Sequence, residues 1–395
     1  MGQKRRKKQL FVYPDRFMIT LIKSALHKTG GLEKYTWALA RDFCALKAPV
    51  TLLTTGLITP PFTDPLLQII SFPIHSPLSV LQLLKFDKAC SSYLCSHPCP
   101  IIFSLDRTRF QTHIRAGNGV HAEYLRMRQK QEGPLKALSL KCNPLHRTIC
   151  ALEKEAFEDP ALNTLFTNSH LVKKEILKHF ATPREKIEII HNGVEWQAMQ
   201  ADFNLWEEKK SVHMQRLKLD PSLHQLLFIG HNYQRKGLEP LLLALSHLKA
   251  APFQLSVLGK DKQIPYYQNY AKRLGLSHKV FFFGPQDTMP FYQLADTLVI
   301  PSLYDPFANV TVEALAMGLF VLSSTTNGGH EVLTPETGKI IEDLYNPHQF
   351  AALLQATLER PKTAIQALAI RSSIGHLDFS KQLRLMTEKT LNLDE

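Results

Sequence analysis

The sequence predicts an α/β chain of two Rossmann-like domains facing each other across a cleft. Three observations carry this. The chain has 395 residues, too long for one ordinary domain and right for two. Short apolar runs alternate with segments of helical spacing along most of its length, the pattern of parallel sheets crossed by helices. That pattern weakens once, over 196–222, where charge is dense, and resumes at Gln225. The expected division is a first domain over 1–195 with a basic tail at 1–9, a crossover at 196–222, a second domain over 223–375, and a closing helical segment at 376–395.

In order, 16–23 reads as the first strand, and a loop ending in Gly30-Gly31 follows it. Leu32, Tyr35, Leu39 and Phe43 then mark a helix over 32–46. Two glycines before a helix let backbone amides approach a ligand, with the helix dipole behind them. Strands are expected at 50–54, 66–73 and 100–105, and a helix at 77–94. A polar, cationic loop over 106–124 follows, holding Arg107, Arg109, His113, Arg115, Asn118 and His121. Loops at the carboxyl ends of strands are where such sheets hold their sites. Over 125–141, cations interleave with Leu125, Met127, Leu135, Leu138 and Leu140. That stretch is either a solvated helical hairpin or a surface that lies on an anionic membrane. A helix over 149–157, a strand over 164–168, a helix over 171–180 capped by Ser169-His170, and a strand over 186–195 close the first domain.

The second domain starts with a strand at 225–230, then Arg235-Lys236-Gly237 and an apolar helix over 239–248. Strands at 253–259 and 280–284 and a short helix at 290–294 lead to the most informative stretch, Tyr304-Asp-Pro-Phe-Ala-Asn-Val-Thr-Val-Glu-Ala-Leu-Ala-Met-Gly318. An apolar strand at 297–302 precedes it, a helix over 310–317 lies within it, and a strand at 319–323 follows. Asp305 and Glu313 bracket the first free N–H groups of that helix, a ready site for an anion or a hydroxyl. A strand at 338–341, a helix over about 347–358, and helical spacing at 380–391 complete the chain.

Composition narrows the class. With 44% hydrophobic and 21% charged residues the chain is globular. A formal net charge of +12 favours anionic partners: nucleotide phosphates or an anionic membrane surface. No nucleic-acid module is legible, and no run approaches the roughly 20 apolar residues of a membrane span. Lys4-Arg-Arg-Lys-Lys8 is either a membrane-attracted or a solubilising tail. The six cysteines form no disulfide framework for so long a chain, which fits a cytoplasmic protein. Cys90, Cys95, His97 and Cys99 match no usual zinc spacing and read as core thiols before metal ligands, so no metal site is expected.

The Asp305 to Gly318 stretch resembles the donor motif of family 4 retaining glycosyltransferases of the GT-B fold. Here Glu313-Ala-Leu-Ala-Met-Gly318 fits the motif, while Asp305 stands for its usual Glu and Ala308-Asn309 for its glycine region. The resemblance implies that Asp305 meets sugar hydroxyls, that the turn at Phe307, Ala308, Asn309 and Val310 meets hexose or phosphate, and that Glu313 grips the ribose. Arg235 and Lys236 resemble the family's diphosphate clamp, and Gly30-Gly31 its glycine loop. Arg115-Ala-Gly-Asn-Gly-Val-His121 is similar to bacterial members near the lipopolysaccharide core glucosyltransferases, whose Asp is Asn118 here. Asn118 cannot take a proton. Arg107, Arg109, Arg115 and His121 are then expected on the acceptor side.

The resemblance implies metal-independent hexosyl transfer with retention from a nucleotide-sugar, UDP-sugar favoured, to an envelope glycolipid such as a lipopolysaccharide core. The place would be the cytoplasmic face of a membrane, with 125–141 against the lipid and 380–391 packed back on the first domain. The catalytic set is Asn118, Arg235, Lys236 and Asp305. With no obvious acceptor-side carboxylate, a donor phosphate oxygen is expected to take the proton. A catalytically silent GT-B binding protein, and an epimerase or phosphorylase on the same architecture, stay open as alternatives.

Overall fold

The computed structural model describes residues 18–26, 31–56, 59–131 and 133–393. The basic tail and Gly30 lie outside them, as do the side chains of Lys130, Leu135 and Lys136. The first half holds β1 (Ile19–Ala25), β2 (Val50–Thr55), β3 (Leu67–Phe72), β4 (Ile101–Ser104), β5 (His113–Arg115), β6 (Thr164–Thr167) and β7 (Ile187–Ile189). They form one parallel sheet in the order β3-β2-β1-β4-β5-β6-β7. The second half holds β8 (His224–Ile229), β9 (Phe253–Leu258), β10 (Val280–Gly284), β11 (Thr297–Ile300), β12 (Phe320–Ser324) and β13 (Gly338–Ile341). Their parallel order is β10-β9-β8-β11-β12-β13. In each sheet the order reverses beside the first strand, between β1 and β4 and between β8 and β11. Chains leaving the carboxyl ends of such a pair diverge to opposite faces and open a crevice.

The helices are α1 (Gly31–Ala45), α2 (Ser79–Ser96), α3 (His121–Gln131), α4 (Pro134–Cys142), α5 (Pro144–Phe157) and α6 (His170–His179) in the first half. Then come α7 (Gln200–Asn204), α8 (Trp206–Leu217), α9 (Leu238–Ser246), α10 (Ile264–Arg273), α11 (Met289–Leu294), α12 (Asn309–Ala316), α13 (Pro347–Leu358), α14 (Ala364–Ser373) and α15 (Phe379–Leu391). Continuous apolar strands such as Leu226–Phe228 bury both faces, as parallel sheets require.

Two differences from the sequence reading have physical causes. The loop at 106–124 contains β5, three residues whose burial comes from pairing with β4 and β6 rather than from any alternation of their own. The crossover at 196–222 is largely helical: Phe203, Trp206 and Met214 pack into the second-domain core beside α11. The 125–141 stretch is helical, as the hairpin alternative expected, and is formed by α3 and α4. Of the cysteines weighed as core thiols, Cys90 is buried and Cys95 is exposed, and all six are free.

The chain passes between the halves twice. After β7 it enters the second half, and after α14 it returns so that α15 lays Leu383, Met386 and Leu391 into the first core beside α1. The two passages are bonded side by side, Val194 N to Leu377 O at 2.9 Å and Phe379 N to Val194 O at 2.8 Å. Gly193 is there because a Cβ would sit 2.6 Å from the Phe379 Cα.

Candidate functional site

At the reversal point of the second sheet, β8 and β11 send their following loops toward one carboxylate. Lys236 donates to Asp305 Oδ2, and Arg235 Nη1 reaches the same oxygen at 3.3 Å and the Tyr304 carbonyl at 3.0 Å. Gly237 makes this approach possible. It has φ +76°, and a Cβ would lie 1.8 Å from the Pro301 oxygen at the end of β11. Asp305 is buried, and its backbone is tied to the segment after β12: Asp305 N to Thr326 O, and Gly328 N to Asp305 O, both at 2.9 Å. Two cations on one half-screened carboxylate leave donor capacity for a further anion.

Eight residues on, Glu313 projects from α12. The hydroxyl of Tyr292, from α11, donates to Glu313 Oε2 at 2.7 Å. Burial pushes the Glu313 carboxyl up, and that bond with the charges of Lys236 and Lys34 opposes the push. Phe307 and Ala308 are buried, and the Ala308 amide is taken by Asn327 Oδ1 at 2.9 Å. Asn327, buried and bonded also to Ser323, takes up this amide and fixes the turn. The amides of Asn309 and Val310 at the start of α12 meet no protein acceptor among the described residues. An anion there would be held by two N–H groups and the helix dipole.

The first half faces this site with its own reversal point. Gly31 starts α1 against the start of α12, a Cβ there falling 3.8 Å from Asn309 Nδ2. Asn118 is exposed on the turn before α3; the next residue, Gly119, has φ +71° and no room for a Cβ beside Tyr304 and Pro306. A cavity of about 570 Å³ lies at the carboxyl ends of β1, β2 and β4. Ser24, Thr55, Asp106 and Arg107 line its polar part, and Leu83, Phe86, Leu145 and Ile149 its apolar wall. Asp106 accepts from Lys23 Nζ at 3.2 Å and the Ser24 amide at 2.5 Å, and it shares a small recess with Asn118. A carboxylate therefore stands on this side, which the sequence reading passed over.

The four expected acceptor-side residues do not act as one group. Arg107 lines the cavity but bonds Glu153 at 2.6 Å. Arg109 ties α2 to α5 through Asp87 and Glu155. Arg115 stacks on Tyr35 at 4.1 Å and holds Asn192, which in turn donates to Asn309 at 2.7 Å. His121 is buried against His146 at 3.0 Å; burial, Arg107 and His146 push it down to about 4. Tyr292 and Asp106 were missed because nothing local marks them. Only contacts between elements distant in sequence bring them to the site.

Known proteins share this two-domain fold. The family described as Glycosyltransferase Family 4 matches residues 29–197, and that described as Glycosyl transferases group 1 matches 209–367. An uncharacterized glycosyltransferase of Methanocaldococcus jannaschii is 34% identical over 193 residues, 47% of this chain and 48% of that protein. The lipopolysaccharide glucosyltransferase WaaG of Escherichia coli is 22% identical over 82% of this chain and 85% of its own. The chain spans about half the length of most of the curated relatives it matches. The crystal structure of WaaG superposes with a TM-score of 0.73 at 20% identity, over 94% of this chain and 99% of that one. Anabaena HepE in complex with UDP-glucose superposes with a TM-score of 0.64 at 14% identity, over 94% and 98%.

Proposed function

From the premise that this chain is a glycosyltransferase of GT-B fold, with a family 4 first half and a group 1 second half, we propose that it moves a hexose from a UDP-sugar to a glycolipid hydroxyl, with retention. The observation that carries the donor side is the convergence of Arg235 and Lys236 on Asp305, eight residues before a carboxylate held by Tyr292. In the bound state the two cations stabilise the departing diphosphate and Asp305 takes sugar hydroxyls. The Asn309 and Val310 amides hold the anion, and Glu313 takes the ribose. No metal is needed, because Arg235 and Lys236 supply the charge. The acceptor hydroxyl attacks on the leaving-group face and a donor phosphate oxygen receives its proton. Asn118 and Asp106 orient the acceptor.

UDP is preferred because HepE was solved with UDP-glucose on the same fold. A glycolipid is preferred because the cavity joins a polar floor to an apolar wall. Beside it, α2 exposes Leu81 and Leu84, with Leu78 just before it, next to Lys85 and Lys88. Such a face suits the surface of an anionic membrane at the cytoplasmic side. Among the described residues no helix is long and apolar enough to cross one.

Calorimetry with UDP-, GDP- and ADP-sugars, without metal, tests the donor side. One nucleotide-sugar should bind saturably, and Glu313→Ala should weaken it roughly ten- to hundredfold, the worth of a charge-assisted hydrogen bond. Binding of none of the three would sink the reading.

A further inference from the structure

We infer that α6 of the first domain positions the donor carboxylate Asp305 of the second, through contacts that exist only with the cleft closed. Its residues grip the donor loop on both sides of Asp305. The Tyr304 hydroxyl donates to Glu175 Oε2 at 2.9 Å, and Ser169 Oγ donates to the Pro306 carbonyl at 2.8 Å. Tyr304 and Pro306 are the immediate neighbours of Asp305 in the chain.

A third contact runs the other way. Glu331, on the turn after β12, accepts from the amides of His170 at 2.7 Å and Leu171 at 2.8 Å, and lies 3.2 Å from His191 Nε2. The first three amides of α6 are thus all met: Val172 by its own cap Ser169 at 3.2 Å, the other two by the opposite domain. A helix does not leave these groups without partners. The turn that carries Glu331 is the one that fastens Asp305, through Gly328 N to Asp305 O. Gly328 has no space for a side chain, since a Cβ would lie 2.0 Å from the Pro306 oxygen and 2.6 Å from Ser169.

These cross-domain contacts are hydrogen bonds, and each can be exchanged for water at little net cost. They therefore suit a joint that is made and broken in each cycle. With the cleft open, the loop around Asp305 loses both lateral restraints, and only Arg235, Lys236 and the backbone bonds to Thr326 and Gly328 still hold the residue. Glu175, Ser169 and Glu331 are positioning residues. Their effect on the sugar passes through Asp305 and rests on the donor reading above; the joint itself does not.

Hydrogen exchange at the His170 and Leu171 amides reads the joint directly. UDP should slow exchange there in the wild-type protein. Tyr304→Phe touches neither amide, yet it should speed their exchange and weaken UDP about fivefold or more, the usual size of a coupling between sites. Glu331→Gln, able to accept one amide, should fall between wild type and Glu331→Ala. Unchanged protection of the β1 and β8 amides identifies a folded variant. Wild-type exchange at 170 and 171 in a folded Tyr304→Phe protein would overturn the inference. If wild type binds no UDP the donor reading fails instead, and the response of the apoprotein to Tyr304→Phe still decides whether the contacts act as a unit.

Discussion

Asp106 is the residue whose role most needs the structure. Lysine and a backbone amide hold it at the cavity edge, with its side chain about one-fifth exposed. Asp106→Asn keeps the shape and loses the charge. Acceptor kcat/KM should fall roughly ten- to hundredfold while donor affinity stays at the wild-type value, as steady-state kinetics with calorimetry would show. Two glutamates beside the domain contact set opposite pH limits. Burial pushes Glu123 up, but bonds from Arg126, His179 and Lys178 outweigh it and hold it down to about 2. Its stabilisation is present above the ordinary carboxylate range and is lost as pH falls toward 2. Burial first, with the Glu123 charge, lifts Glu175 to about 7, against its bonds from Tyr304 and the Val120 amide and the charge of Lys178. That contribution is complete below the ordinary range and is lost as pH rises through 7. Melting curves at about pH 5 and pH 8 should show a drop on the alkaline side that Glu175→Gln reduces.

At the scale of elements, strand–loop–helix units were legible because each carries its own periodicity and stop signals. The Asp305 to Gly318 unit is the clearest case: strand, loop, α12 and Gly318 at φ +71° fall where the residues put them. What stayed illegible depends on partners distant in sequence. β5 is too short to alternate, and α8 looks like a charged linker until Trp206 and Met214 find the second core. The placing of Asp305 and Glu313 on one loop and helix could be read because both are local to that unit. The acceptor cations could not, since their partners Glu153, Asp87, Glu155 and Asn192 come from other elements. Two glycines with similar φ separate a needed turn from a tolerant one. Gly237→Ala must displace the end of β11, and should cost more than about 3 kcal/mol and abolish UDP binding. Gly284→Ala has φ +67° but open space, and should cost about 1–2 kcal/mol in chemical denaturation with binding retained.

For the whole molecule, the first domain is completed by the last helix. Met386 is buried and accepts the Tyr35 hydroxyl at 2.8 Å from α1. Met386→Ala should lower stability by about 2–5 kcal/mol in urea titration, although the residue lies 351 positions along the chain from Tyr35.

The paired passages at Val194 and Leu377–Phe379 carry a mechanical consequence. One strand between two bodies lets them swing, tilt and twist. Two strands bonded edge to edge resist twisting and leave a bend about a single axis. Opening then has one angular coordinate, and each return brings the same faces together in the same register. The registration of the two facing surfaces is, on this account, a property of the backbone before anything binds.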